Sequence, residues 1–241
     1  MAALPDVPRW VYARSLLLSG AAPLRLGTSD AVLVQDPATA VLVGQANSTL
    51  LREALAGNPP GQSLLVQEEA LTAARAALPS WTARWFVVHA LSRPVAPDTP
   101  PAPGVVVSAP LDRAALAGLP DDVCADAADA ADAAAAAVRV VDGVPVAVCF
   151  VSDLTETLWD VGVDTIESAR RQGHAAAVFI ALAAAMAAQG RQPVWAAYED
   201  YWPSLALAAR LGFWPVARMV ELVPPDGGET AAREAVTGSR T

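Results

Sequence analysis

Residues 159–188, WDVGVDTIESARRQGHAAAVFIALAAAMAA, restrict what this chain can fold into more than any other stretch. Trp159–Val163 reads as a buried strand, Asp164–Ala169 as a short polar loop, and Ala175–Ala188 as an apolar helix with no breaker before Gly190. Between loop and helix stand Arg170, Arg171, Gln172, Gly173 and His174. A strand that feeds a basic, glycine-containing turn and then a helix aims unbonded backbone N–H groups at an anion. The two arginines add positive charge there, and Gly173 permits close approach to the backbone.

The flanking segments fit around this unit. Downstream, Gln192–Tyr198 is an apolar strand, Pro203–Phe213 a helix closed by Gly212, and Pro215–Val223 a further strand. Upstream, Val105–Val107 reads as a strand, and Leu111–Leu119 and Pro120–Val138 as helices. Val138–Val141, Asp142-Gly143 and Val144–Val151 spell a hairpin, because Asp-Gly suits a type I′ turn, and a third strand spans Thr157–Val163. Asp126, Asp129 and Asp132 lie on the second helix and read as a solvated acidic face.

The spacing Arg170-x-x-Gly173-x-Ala175 resembles the pyrophosphate-binding signature of the GNAT acyltransferases. The order strand, two helices, three antiparallel strands, helix, strand, helix, strand is similar to a complete GNAT domain, and the likeness runs from about Gly104 to Pro224. It implies an α/β (α+β) protein whose mixed, mostly antiparallel sheet is flanked by helices. Within the family the chain resembles bacterial members with an additional, smaller mixed α/β N-terminal domain.

That N-terminal part carries no chemical motif. Residues 1–24 form a partly helical lead-in, and Ala31–Gln35, Ala40–Gly44, Ser63–Gln67 and Trp81–His89 read as strands. Helices are expected from Asn47 or Ser48 to Leu55 and from Glu68 to Leu78. Residues 92–104, SRPVAPDTPPAPG, hold five prolines and suggest a boundary. The expected partition is 1–103, 104–225, and a disordered tail over 226–241. No internal repeat is visible.

Composition bounds the partners. A net charge of −9 argues against nucleic acid or an anionic membrane, and a local basic turn in an acidic protein suits a small anionic ligand. The longest apolar run, 14 residues, falls short of the ~20 that span a bilayer. Two cysteines and no convincing signal peptide point to a reducing cytoplasm. His89 and His174 have no zinc-like spacing, and no metal site is expected.

The resemblance implies acetyl-CoA, or another acyl-CoA, as co-substrate. Its pyrophosphate would sit on the N–H groups of Gln172, Gly173, His174, Ala175 and Ala176, beside Arg170 and Arg171. Its pantetheine arm would pair with the strand edge at Val163–Thr165, and Ser204 fills the small-residue position of the last helix. The acceptor would be the amine of a small molecule or peptide, and a homodimer is compatible with the reading. Asp160 and Asp164, on one strand face, are the candidate general bases; Tyr198 or Tyr201 could supply a hydroxyl to the departing thiolate. Three positions depart from the family pattern: Tyr201 stands in place of an Asn, Ala208 in place of a Tyr, and Arg171 in place of a Gly. Tyr201 and Ala208 at those positions support a competing reading, a non-catalytic acyl-CoA-binding or regulatory module.

Overall fold

A computed structural model describes residues 4–27, 31–121, 123, 127 and 135–225. Asp126, Asp129 and Asp132, most of the helix expected over 120–138, and the tail 226–241 lie outside the described residues. The protein is mixed α/β, with a large, mostly antiparallel sheet flanked by helices.

Two compact units divide the described residues. The first runs to Val88 and takes up Ala196–Leu205 and the chain from Pro215; the second takes His89–Trp195 and Ala206–Trp214. Both therefore draw on chain from either side of the proline-rich stretch, which lies within the second.

In the first unit, helix α1 (Val11–Leu18) precedes strands β1 (Leu24–Arg25), β2 (Val32–Gln35) and β3 (Thr39–Val43). Helix α2 (Ser48–Leu55), strand β4 (Ser63–Gln67), helix α3 (Leu71–Ala77) and strand β5 (Thr82–Leu91) follow. Asn47 caps α2, its side chain accepting from the Thr49 N–H at 2.7 Å. β2 and β3 form an antiparallel hairpin, and β4 lies parallel to β3. Strand β11 (Phe213–Val223) closes on the far side of β4, antiparallel, with Met219 opposite Gln67. Leu33, Leu42, Leu51, Leu64, Val66, Val220 and Leu222 are buried in the core under α2 and α3.

In the second unit, strands β6 (Val105–Ser108), β7 (Ala136–Val141), β8 (Val144–Leu154) and β9 (Leu158–Thr165) pair antiparallel in that order. Helix α4 (His174–Ala187) leads to strand β10 (Gln192–Tyr198), parallel to β9, and helix α5 (Trp202–Arg210) leads into β11. Asp142 and Gly143 take φ of 49° and 81°, as the turn between β7 and β8 requires. Alanine, the best helix former, makes α4, and its small side chains let Val178, Phe179, Leu182 and Met186 bury against the sheet. Gly190, at φ 78°, ends it, and the Arg191 N–H bonds back to the Met186 carbonyl. Trp159, Phe179, Trp195 and Phe213 pack ring on ring, with centroids 5.4 to 6.4 Å apart.

Some expectations shift. Leu111–Leu119 yields only a 3-10 turn, Arg113–Leu116, capped by Asp112 and cut short by Gly118 and Pro120. β7 starts at Ala136 inside the expected helix, because pairing with Phe150 outweighs the helix propensity of alanine. β9 runs on to Thr165, since Asp164 and Thr165 still pair with Val148 and Ala147.

A repeat that the sequence hides becomes visible. Hairpin, helix, parallel strand, helix, strand occurs as β2–β3–α2–β4–α3–β5 and again as β8–β9–α4–β10–α5–β11. Even the parallel pairing matches: three registered pairs in each copy, Thr39↔Ser63 to Val41↔Leu65 and Leu158↔Gln192 to Asp160↔Val194.

Candidate active site

The two copies differ where a ligand would matter. In the first, residues 44–47 join β3 to α2, and Asn47 satisfies the helix end from within. In the second, residues 166–173 intervene, and Gly173 at φ 85° is the N-cap with no side chain to offer. The Ala177 N–H bonds to the Gly173 carbonyl, but the N–H groups of residues 172–176 find no acceptor among the described residues. That leaves a positive helix end facing outward. A Cβ added to Gly173 would meet nothing within 4 Å, so the space before those groups is open. Arg171, where the family pattern has glycine, adopts φ 63°, a conformation that a side chain strains.

The turn is tied to the strand it leaves. Arg170 Nε donates to the Thr165 carbonyl at 3.0 Å, and the Gln172 amide donates to the Ser168 carbonyl at 3.2 Å. Arg171 remains exposed, and His174 opens the helix half-buried. Thr165 is only 9% exposed, yet its hydroxyl has no partner among the described residues. A buried, unspent hydroxyl and a set of unbonded N–H groups each suit a ligand that accepts hydrogen bonds. The register between β9 and β10 ends at Asp160↔Val194, while β9 continues to Thr165. The backbone of Val163–Thr165 is therefore beyond that ladder, as an edge that could pair with an amide-bearing arm.

The aspartates stand on the other strand face from Trp159, which stacks on Phe179 of α4. Asp160 is buried at 7% exposure, whereas Asp164 is half-buried and its Oδ1 accepts the Thr165 N–H at 2.6 Å. Between them Gly162 faces Phe150, whose ring lies 2.3 Å from where a Cβ would be. Only glycine leaves that ring its place. Gly162→Ala should therefore destabilise the protein by roughly 1–3 kcal/mol through overpacking, read as a lower melting temperature.

Tyr201 and Ser204 belong to the first unit, at the start of α5, so the geometry of the second unit does not include them. The Tyr198 hydroxyl donates to Glu221 in the first unit. His89 is buried in β5 with Nδ1 3.1 Å from the Trp195 carbonyl, a satisfied core residue. Burial pushes the Cys149 thiol far up, which keeps it protonated and a poor nucleophile. A cleft of about 490 Å³ opens at the C-terminal end of α4, away from the basic turn. Its one cation, Arg191, is spent on Thr155 and Gln189. Among the described residues no group of three or more His, Cys, Asp or Glu could hold a metal ion, and no helix is long and apolar enough to cross a membrane.

An α/β protein with a splayed parallel strand pair and an anion-ready helix end defines the class. Residues 136–218 match the family model for GNAT acetyltransferase. Solved structures agree on the fold. A GCN5-related N-acetyltransferase from Kribbella flavida is 21% identical with a TM-score of 0.59, covering 95% of this chain and 99% of that one. A GCN5-related N-acetyltransferase-like protein from Streptococcus suis 89/1591 is 16% identical with a TM-score of 0.61, covering 92% and 94%. A tandem GNAT protein from the clavulanic acid biosynthesis pathway is 16% identical with a TM-score of 0.51, covering 89% and 93%. Comparison with curated proteins returns no match.

Proposed function

We propose that the protein transfers an acyl group, acetyl in the first instance, from CoA to a primary amine by direct attack in a ternary complex. The observation that carries this reading is the set of unbonded N–H groups over residues 172–176, open to solvent beyond Gly173. They suit a pyrophosphate, with Arg170 and Arg171 supplying charge. The Val163–Thr165 edge would hold the pantetheine amides, and the Thr165 hydroxyl would find its partner there.

In the reaction, the amine nitrogen attacks the thioester carbonyl, the C–N bond forms and the C–S bond breaks. Asp160, or Asp164, takes the proton that the amine must lose, directly or through water. The departing thiolate takes a proton from water or from a hydroxyl, the role that the family resemblance implies for Tyr201 as it implies a cofactor contact for Ser204. The reading places the enzyme in the cytoplasm, acting on a small-molecule or peptide amine and not on nucleic acid or membrane.

Ala208 and Tyr201, at positions where the family pattern has functional side chains, favour a second reading: a module that binds acyl-CoA without turnover. One experiment separates the two. Acetyl-CoA at 100 times its Kd should stabilise the protein by about 2.7 kcal/mol, and a panel of amines should then release free CoA. Stabilisation without CoA release selects the binding module. No stabilisation removes both.

A further inference from the structure

Outside this site, the first unit holds a polar cluster that nothing above uses. In β5, Ala83 and Trp85 face the core under α2 and α3, as do Val220 and Leu222 in β11. Alternation puts Arg84 and Glu221 on the opposite face. There the Arg84 guanidinium lies 3.7 Å over the Tyr198 ring, and the Tyr198 hydroxyl donates to Glu221 Oε2 at 2.5 Å. Arg84 Nη1 stands 3.9 Å from the same oxygen, outside hydrogen-bond range.

Arg84 is thus positioned by stacking and charge, while its fork of donors makes no hydrogen bond among the described residues. Glu221 is 9% exposed, and its second oxygen, Oε1, accepts no hydrogen bond there either. Gln67, on the same face as Glu221 and diagonal to it across the β4–β11 ladder, has a buried Nε2 with no partner among the described residues. The buried Gln67 Nε2 costs free energy unless a partner satisfies it.

We propose that Arg84, Tyr198, Glu221 and Gln67 bind an amino acid or a related small zwitterion. A carboxylate fits the Arg84 fork, and the Gln67 amide is a further donor on the Glu221 face. An ammonium group fits the open oxygen of Glu221. Arg84 and Glu221 sum to zero charge, so a zwitterion enters without adding net charge to a partly buried site.

The test is calorimetric and needs no acetyl-CoA: glycine, glutamate, phenylalanine and lysine are titrated, each beside its amide and its decarboxylated amine. At least one amino acid should bind, and loss of its carboxylate should weaken binding roughly 10- to 100-fold. Arg84→Leu should impose the same loss on the acid and leave the amide unchanged, with acetyl-CoA affinity intact. If that variant does not fold, Gln67→Met, which removes the donor without a charge, should still weaken the acid selectively. The proposal is overturned if no amino acid binds, if amides bind as tightly as acids, or if folded variants keep the wild-type preference. Acetyl-CoA affinity is measured separately, so loss of the cofactor reading shows up without loss of this one.

Discussion

Gly173→Glu should abolish acetyl-CoA binding in a protein that still folds. Two effects act together. The carboxylate would occupy the open space before the N–H groups of residues 172–176 and repel the phosphates that those groups suit. A side chain at φ 85° also carries conformational strain, which stability alone must absorb. Gly173→Asn separates the two, because asparagine tolerates the left-handed region and brings no charge. The stabilisation expected at saturating acetyl-CoA corresponds to roughly 2–4 °C in melting temperature per kcal/mol for a chain of this size. It should vanish in the glutamate variant and persist in part in the asparagine variant. Unchanged acetyl-CoA affinity in folded Gly173→Glu would remove the turn as a pyrophosphate site.

Asp160→Asn should slow turnover by ~10²–10⁴-fold, the usual contribution of a general base, with acetyl-CoA affinity unaffected. The amide keeps the shape of the buried side chain and loses its proton affinity. Asp164→Asn, made in parallel, tests the other carboxylate of that face. The Asp164 side chain already accepts the Thr165 N–H, so its replacement also perturbs the end of β9. For whichever residue is the base, the deficit should shrink as pH rises, because more of the amine then arrives deprotonated. Losses of only a few-fold in both variants would mean that catalysis rests on positioning the amine against the thioester.

The legible parts of this chain were those with local signals. Asp142-Gly143 marks its turn because few other pairs accept two positive φ angles, and Gly173 marks the start of the helix that follows it. What stayed hidden depends on distance. Arg84, Tyr198 and Glu221 meet only after three strands are assembled, and no spacing in the sequence encodes that. The repeated element order was obscured because its first copy has a short helix, capped by Asn47, and a brief connection where the second has an eight-residue basic turn. Arg171 is a subtler case: it departs from the glycine of the family pattern, yet the chain bends it into the conformation that glycine would favour. Tertiary closure overrides the local preference there.

The pairing of Gln67 with Met219 has a consequence for how the protein is made. β4 is sealed on one side by β3 soon after synthesis, but its other side waits for β11, near the end of the chain. At ordinary translation rates of about 5–20 residues per second that wait is on the order of ten seconds. Through that interval the nascent first half presents an apolar strand, Leu64–Val66, with an unpaired edge. Crowded ribosomes, high expression or slow codons downstream would lengthen the exposure, and chaperone capture at β4 is the expected cellular response.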